Sequence, residues 1–158
     1  MVHFRGIHHT GLVVDDLDAA IAFYSGLLDM EVIERDQWRS PAEVEDQAVG
    51  LNGSSADGVM LRGSSSYLEL WQYHAPAQVG DDPAERGANE RGLRHLAIEV
   101  DDVVGALEHL ESLGGSRMGD PAELADDDVA VVYCRDPFGT IIEFMTVGTT
   151  VASLDDLE

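Results

Sequence analysis

Residues 93–103 read Leu93-Arg94-His95-Leu96-Ala97-Ile98-Glu99-Val100-Asp101-Asp102-Val103. Residues 7–17 read Ile7-His8-His9-Thr10-Gly11-Leu12-Val13-Val14-Asp15-Asp16-Leu17. Laid over one another, His95 falls on His9, Val100 on Val14, and Asp101-Asp102 on Asp15-Asp16. Self-similarity of this kind marks a structural unit written twice. Each run predicts a β-strand that ends at a helix cap. An Asp just ahead of an apolar-periodic stretch offers its carboxylate to the free N–H groups of the first helical turn.

The stretches that follow match as well. Leu17, Ala20, Ile21, Tyr24 and Leu28 keep amphipathic helical spacing, as do Val103, Ala106, Leu107, Leu110 and Leu113. Gly114-Gly115 marks the turn after the second helix, and Leu28-Asp29 is its equivalent in the first half. Each half then closes on a strand with one carboxylate in an apolar run. These are Tyr67-Leu68-Glu69-Leu70-Trp71, after the turn Arg62-Gly63-Ser64, and Ile141-Ile142-Glu143-Phe144-Met145, after Asp136-Pro137-Phe138-Gly139. The expected organisation is an α+β chain. Residues 1–73 form a first module, 74–92 a linker with two prolines and three glycines, 93–147 a second module, and 148–158 a frayed acidic tail. Residues 36–57 are polar, and they read as a loop and short strand over the site.

Charge narrows the function. There are 31 acidic residues against 9 basic ones, a net charge of -22, and every basic residue is Arg. A surface this negative repels phosphate backbones and anionic lipid headgroups, so neither nucleic acid nor a membrane is an expected partner. Regular apolar periodicity argues for a folded chain rather than a disordered acidic one. Dense carboxylates repel one another little at molar salt, where the Debye length is about 3 Å. The composition therefore reads as that of a halophilic protein, and its melting temperature is expected to rise between dilute buffer and molar salt. A flat thermal profile across that range removes the halophilic reading. The single cysteine, Cys134, cannot form an internal disulfide. The opening Met1-Val2-His3 has no charged region leading into an apolar one, so the expected location is cytoplasmic.

Strand side chains alternate faces. His9 therefore shares a face with Gly11 and Val13, and His95 with Ala97 and Glu99. Glu69 shares one with Tyr67, Trp71 and Tyr73, and Glu143 with Ile141 and Met145. A charged group on a core face is costly unless it is paired or bound to metal. Here two histidines and two glutamates recur at equivalent positions of a repeat. If the modules curl into facing half-barrels, four strands each aim one ligand into one cavity. Such a mixed nitrogen and oxygen set suits one divalent Ni, Co, Zn, Mn or Fe ion.

With those residues the chain resembles the vicinal oxygen chelate superfamily of glyoxalases, bleomycin resistance proteins and extradiol dioxygenases. The likeness runs from Ile7 to about Val147. It rests on the His9 strand with its Asp15-Asp16-Leu17 helix start, on Leu68-Glu69-Leu70, on His95 to Asp102, and on Asp136-Pro137-Phe138-Gly139-Thr140-Ile141-Ile142-Glu143. The resemblance implies a βαβββ module used twice, with sheets curled as half-barrels around a metal that chelates two neighbouring oxygens of a substrate. It puts the metal positions on His9, Glu69, His95 and Glu143, the ligand set of glyoxalase I. It also implies a homodimer whose modules pair within a chain or are exchanged between chains.

A divalent cation on a carbonyl and its neighbouring oxygen acidifies the adjacent C–H and stabilises the enediolate. A carboxylate, Glu69 or Glu143, then takes the proton and returns it to the next carbon. The favoured expectation is thus a glyoxalase-like lyase or isomerase acting on a small carbonyl compound. One alternative is an extradiol-type Fe(II) dioxygenase using His9, His95 and Glu143. The other is a non-catalytic antibiotic-binding resistance protein. An epimerase of the family carries a separate catalytic carboxylate on the strand before the second ligand, where this chain has Val59-Met60-Leu61-Arg62 and no acid. Tyr67, Trp71 and Arg62 are candidate pocket residues, with a surface salt bridge the competing role for Arg62. His8 is expected to point away from His9, His74 to stand near the site mouth, His109 to be solvated, and Cys134 to be inert.

Overall fold

The structure, a computed structural model, describes residues 1–124, 129–148 and 153–156. It divides into two compact units, Met1–Gly80 and Asp81–Glu158.

In the first unit, strand β1 (Thr10–Val13) leads into helix α1 (Leu17–Leu28). Strand β2 (Glu31–Trp38), helix α2 (Glu43–Val49), strand β3 (Ser55–Arg62) and strand β4 (Tyr67–Ala75) follow. The sheet order is β1-β4-β3-β2, with β1 parallel to β4 and the other pairs antiparallel. Asp16 caps α1 by accepting the Ala19 N–H at 2.9 Å. The helix ends where Asp29 turns left-handed, at φ 52°. Its apolar stripe, Leu17, Ala20, Phe23 and Tyr24, is buried. It packs on the β3–β4 face formed by Val59, Leu61, Leu68 and Leu70, which are themselves buried. Each large side chain so buried contributes about 1.5–3 kcal/mol before entropy is counted. The opposite face carries Glu69, Trp71 and Tyr73.

The second unit repeats the plan. Strand β5 (His95–Glu99) leads into helix α3 (Val103–Ser112), followed by β6 (Ser116–Arg117), β7 (Ala122–Leu124), β8 (Val129–Arg135) and β9 (Ile141–Met145). The sheet order is β5-β9-β8-β6, with β7 also pairing β8. Asp102 caps α3 through the Val104 N–H at 3.0 Å. Val103, Leu107 and Leu110 bury the helix against β8 and β9, where Val132, Cys134, Ile142 and Phe144 are closed off from solvent. The fold is α+β, with two sheets of matching order.

Three expectations need correcting. Residues 36–57 are not a loop with a short strand. They hold the end of β2, helix α2 and the start of β3. Helix α2 buries no side chain and lacks a side-chain cap, so it leaves no apolar period to read. The linker is largely structured as well. Strand β4 runs on to Ala75, and a short 3-10 turn at Pro83–Glu85 belongs to the second unit, where Arg135 donates to the Pro83 and Arg86 carbonyls at 3.0 and 2.7 Å. Of the expected frayed tail, residues 149–152 and 157–158 lie outside the described residues. Its described part forms a 3-10 turn at Leu154–Asp156, held where the Ser153 hydroxyl and the Leu154 N–H donate to Glu99. Those two bonds hold the Glu99 carboxyl below its ordinary range. Among the described residues no helix is long and apolar enough to cross a membrane.

Candidate metal centre

His9 stands immediately before β1. The parallel β1–β4 register sets Gly11 beside Glu69, and this brings His9 Nε2 to 3.4 Å from Glu69 Oε2. In the second unit the β5–β9 register sets Ala97 beside Glu143, and His95 Nε2 lies 3.0 Å from Glu143 Oε2. The two arrangements repeat atom for atom. A histidine precedes by two residues a small residue that lies against the carboxylate. A methyl group on Gly11 would sit 3.7 Å from Glu69 Oε2, so anything larger would crowd the acid.

Both pairs are open enough for a ligand to reach. The glutamate side chains are 26% and 17% exposed, and the histidines 37% and 36%. The donor set also fits a metal. Two ligand atoms each about 2.1 Å from one cation stand about 3.0 Å apart at a right angle and about 3.4 Å apart at a tetrahedral angle. The observed separations match that span, and the facing atoms are ligating atoms, an imidazole Nε2 and a carboxylate oxygen. Each unit holds half of the expected ligand set. Among the described residues no group of three or more His, Cys, Asp or Glu side chains is gathered to hold a cation.

Each histidine meets a second ring at its far nitrogen. His9 Nδ1 lies 2.9 Å from His8 Nδ1. The His8 ring stacks on Tyr67 with centroids 5.1 Å apart and planes 1° from parallel. The expectation that His8 points away from His9 is therefore overturned. Strand β1 begins only at Thr10, so alternation does not govern the residues before it. In the second unit Tyr133 faces Glu143 across the β8–β9 register, and its Oη lies 3.4 Å from His95 Nδ1. Burial, and then the charge and hydrogen bond of Glu143, raise the Tyr133 phenol above its ordinary range. Sequence reading missed Tyr133, because only the strand register places it beside Glu143.

The other candidates fall as follows. Trp71 lies over Gly58 and packs against Trp38 at 4.7 Å, with Tyr73 beside them. A Cβ on Gly58 would fall 2.2 Å from Trp71 Cζ3, so the glycine is what admits the indole. Trp38 is fixed by donating its indole N–H to Ser54 Oγ at 2.8 Å, and Asp46 accepts from both the hydroxyl and the N–H of Ser54. Arg62 is engaged with Glu31 at 2.6 Å, both side chains being largely exposed. That is the salt-bridge role. His74 is tied to Asp57 at 2.8 Å. Met60 is the β3 residue opposite Glu69, so no carboxylate flanks that acid from β3.

Cys134 is fully buried, and burial pushes its thiol up to about 12, with Asp136 and Glu111 adding to the effect. At pH 8 a thiol with that pKa is about one part in 10⁴ thiolate, and the thiolate is the nucleophile. Iodoacetamide is expected to label the native protein at least about 100-fold more slowly than the unfolded chain. Equal rates would show that the strand opens freely.

The model of the Glyoxalase/Bleomycin resistance protein/Dioxygenase superfamily matches residues 6–144. The chain belongs to this superfamily. It is 30% identical over 147 residues to 2-epi-5-epi-valiolone epimerase of Actinomyces sp., covering 89% of this chain and 79% of that protein. It is 28% identical over 148 residues to lactoylglutathione lyase of Haemophilus influenzae, covering 94% and 97%. A glyoxalase family protein from Bacillus cereus shares the fold with a TM-score of 0.82 at 19% identity, over 92% of this chain and 96% of that one. The fosfomycin resistance protein FosX of Listeria monocytogenes, solved with Mn(II) and sulfate, shares it with a TM-score of 0.59 at 17% identity, over 93% and 96%. The superfamily thus includes lyases, epimerases and a protein that takes up a divalent metal.

Proposed function

We propose that this chain is a divalent-metal-dependent lyase or isomerase that moves a proton between neighbouring carbons of a small hydroxy-carbonyl compound. The supporting observation is the repeated facing of His Nε2 and Glu Oε2, at 3.4 Å for His9 and Glu69 and at 3.0 Å for His95 and Glu143. In this reading His9, Glu69, His95 and Glu143 hold the cation, whether the two halves come together within one chain or between the subunits of a homodimer. The bound cation supplies Lewis acidity toward a carbonyl and its neighbouring oxygen.

The chain's own residues do the rest. The two imidazoles stay neutral and ligate through Nε2. One carboxylate accepts the proton from the carbon beside the carbonyl, and the same group or its counterpart delivers it to the next carbon. General bases of this kind contribute about 10²–10⁴-fold. Epimerisation is compatible with the site only if Glu69 and Glu143 themselves serve as the acid and base, because Met60 stands where a third carboxylate would be needed.

The test begins with metal analysis of the native protein. It continues with solvent deuterium incorporation beside the carbonyl in a panel of α-hydroxyketones and the hemithioacetal of glutathione and methylglyoxal. Exchange that requires a divalent metal and stops with chelator supports the reading. Oxygen consumption with a catechol would replace it with the dioxygenase, and ligand binding with neither metal nor exchange would replace it with a sequestering role.

A further inference from the structure

Both histidines are met at Nδ1 by a group able to donate a hydrogen bond and also to accept one. A phenol carries one O–H and two lone pairs, and a neutral imidazole offers a donor or an acceptor according to its tautomer. Metal-ligating histidines commonly have a carboxylate or a backbone carbonyl at this place, which only accepts and so serves a single tautomer. Tyr133 and His8 differ from those partners in that respect.

The proton inventory shows why this matters. In the metal-free site, His95 Nε2 faces the Glu143 carboxylate at 3.0 Å. A carboxylate only accepts, so Nε2 carries the proton and donates it to Glu143. Nδ1 is then an acceptor, and the Tyr133 O–H donates to it. When Nε2 is needed as a ligand its proton must leave, and the remaining proton of the neutral ring sits on Nδ1. Nδ1–H then donates to the Tyr133 oxygen, and the Tyr133 O–H is released to donate to Glu143, which the phenol already senses. The ring keeps its orientation while its tautomer reverses.

We infer that Tyr133 is a positioning residue that holds His95 in both tautomers, ready for a metal without one and fixed by it afterwards. The inference rests on the reading of His95 and Glu143 as metal ligands. His8 stands in the same relation to His9, steadied by its parallel stack on Tyr67. This is a property of the pairing, because neither Tyr133 nor His8 has to touch the cation.

The experiment is long-range ¹H–¹⁵N NMR of histidine-labelled protein at one fixed pH, without metal and with zinc, on the wild type and Tyr133→Phe. The phenylalanine keeps the ring and removes only the hydroxyl. In the metal-free wild type His95 is expected to be the Nε2–H tautomer, and zinc is expected to convert it to Nδ1–H. In Tyr133→Phe the metal-free ring is expected to become a mixture of tautomers, and zinc affinity to fall about 10–100-fold. Circular dichroism of the variant should be unchanged. A variant with the wild-type tautomer and zinc affinity within twofold overturns the inference. Zinc that leaves wild-type His95 unmoved overturns the metal-site reading instead. In that event the metal-free comparison of the two proteins alone decides whether Tyr133 sets the tautomer.

Discussion

Glu143→Gln is expected to lower metal-dependent proton exchange by about 10²–10⁴-fold, the typical contribution of a positioned general base. Glutamine has the shape of glutamate, and the side chain is 17% exposed at the edge of a folded sheet, so the thermal midpoint should barely move. The amide oxygen still accepts from His95 Nε2–H, so the metal-free pair survives. What disappears is a charged ligand and a proton acceptor. Metal affinity should therefore fall by more than the roughly 10–100-fold cost of removing an outer partner of a ligand. Glu69→Gln separates the roles further. If one acid takes the proton and the other returns it, each variant stops net conversion, and one of them still washes deuterium into the substrate. Calorimetric metal titration and an exchange assay on both variants read this directly. Wild-type turnover in Glu143→Gln would remove that residue from the mechanism.

The parts of this molecule that were legible in sequence are those where burial forces a pattern. His9 and His95, Glu69 and Glu143, and the caps before α1 and α3 recur because each module must set one helix on one sheet face. The carboxylates stand out because they interrupt runs that are otherwise apolar. Asp16 and Asp102, rather than Asp15 and Asp101, proved to be the caps, a difference of one residue that alternation alone cannot decide. Helix α2 was invisible for the opposite reason. Its residues Glu43 to Val49 bury nothing, and the backbone closes into a helix under local preference, with Glu43, Glu45 and Asp46 in its first turn favoured by the helix dipole. Strand β2 is likewise exposed along all but its last residue, Trp38. Tyr133 and His8 lay beyond sequence reasoning because their meaning comes from partners. One depends on the β8–β9 register, and the other on the chain turning before β1 has begun.

Gly139→Ala is expected to cost about 2–4 kcal/mol of stability, combining roughly 1–2 for a left-handed residue that gains a Cβ with about 1–3 for overpacking. Gly139 has φ 89°, and its Cβ would fall 2.4 Å from Ala84 N, 2.7 Å from Pro83 C and 2.9 Å from Ala84 Cα. All three atoms are backbone, so no rotamer change can make room. The 3-10 turn they belong to is held in place by Arg135, which donates to the Gly139 carbonyl at 2.8 Å as well as to Pro83 and Arg86. Asp136 organises the rest of the turn, accepting the Phe138 and Thr140 N–H groups on one carboxylate oxygen at 2.9 and 2.7 Å. That turn delivers the chain into β9, four residues before Glu143. The Asp136-Pro137-Phe138-Gly139 motif is thus a structural requirement of the strand that carries the acid, and its glycine is the position where the next segment of backbone comes closest. Urea denaturation should show an earlier midpoint with an unchanged slope, since the same surface is exposed on unfolding. A midpoint equal to that of the wild type would mean that the 83–85 turn moves aside at no cost, and that the close approach does not constrain β9.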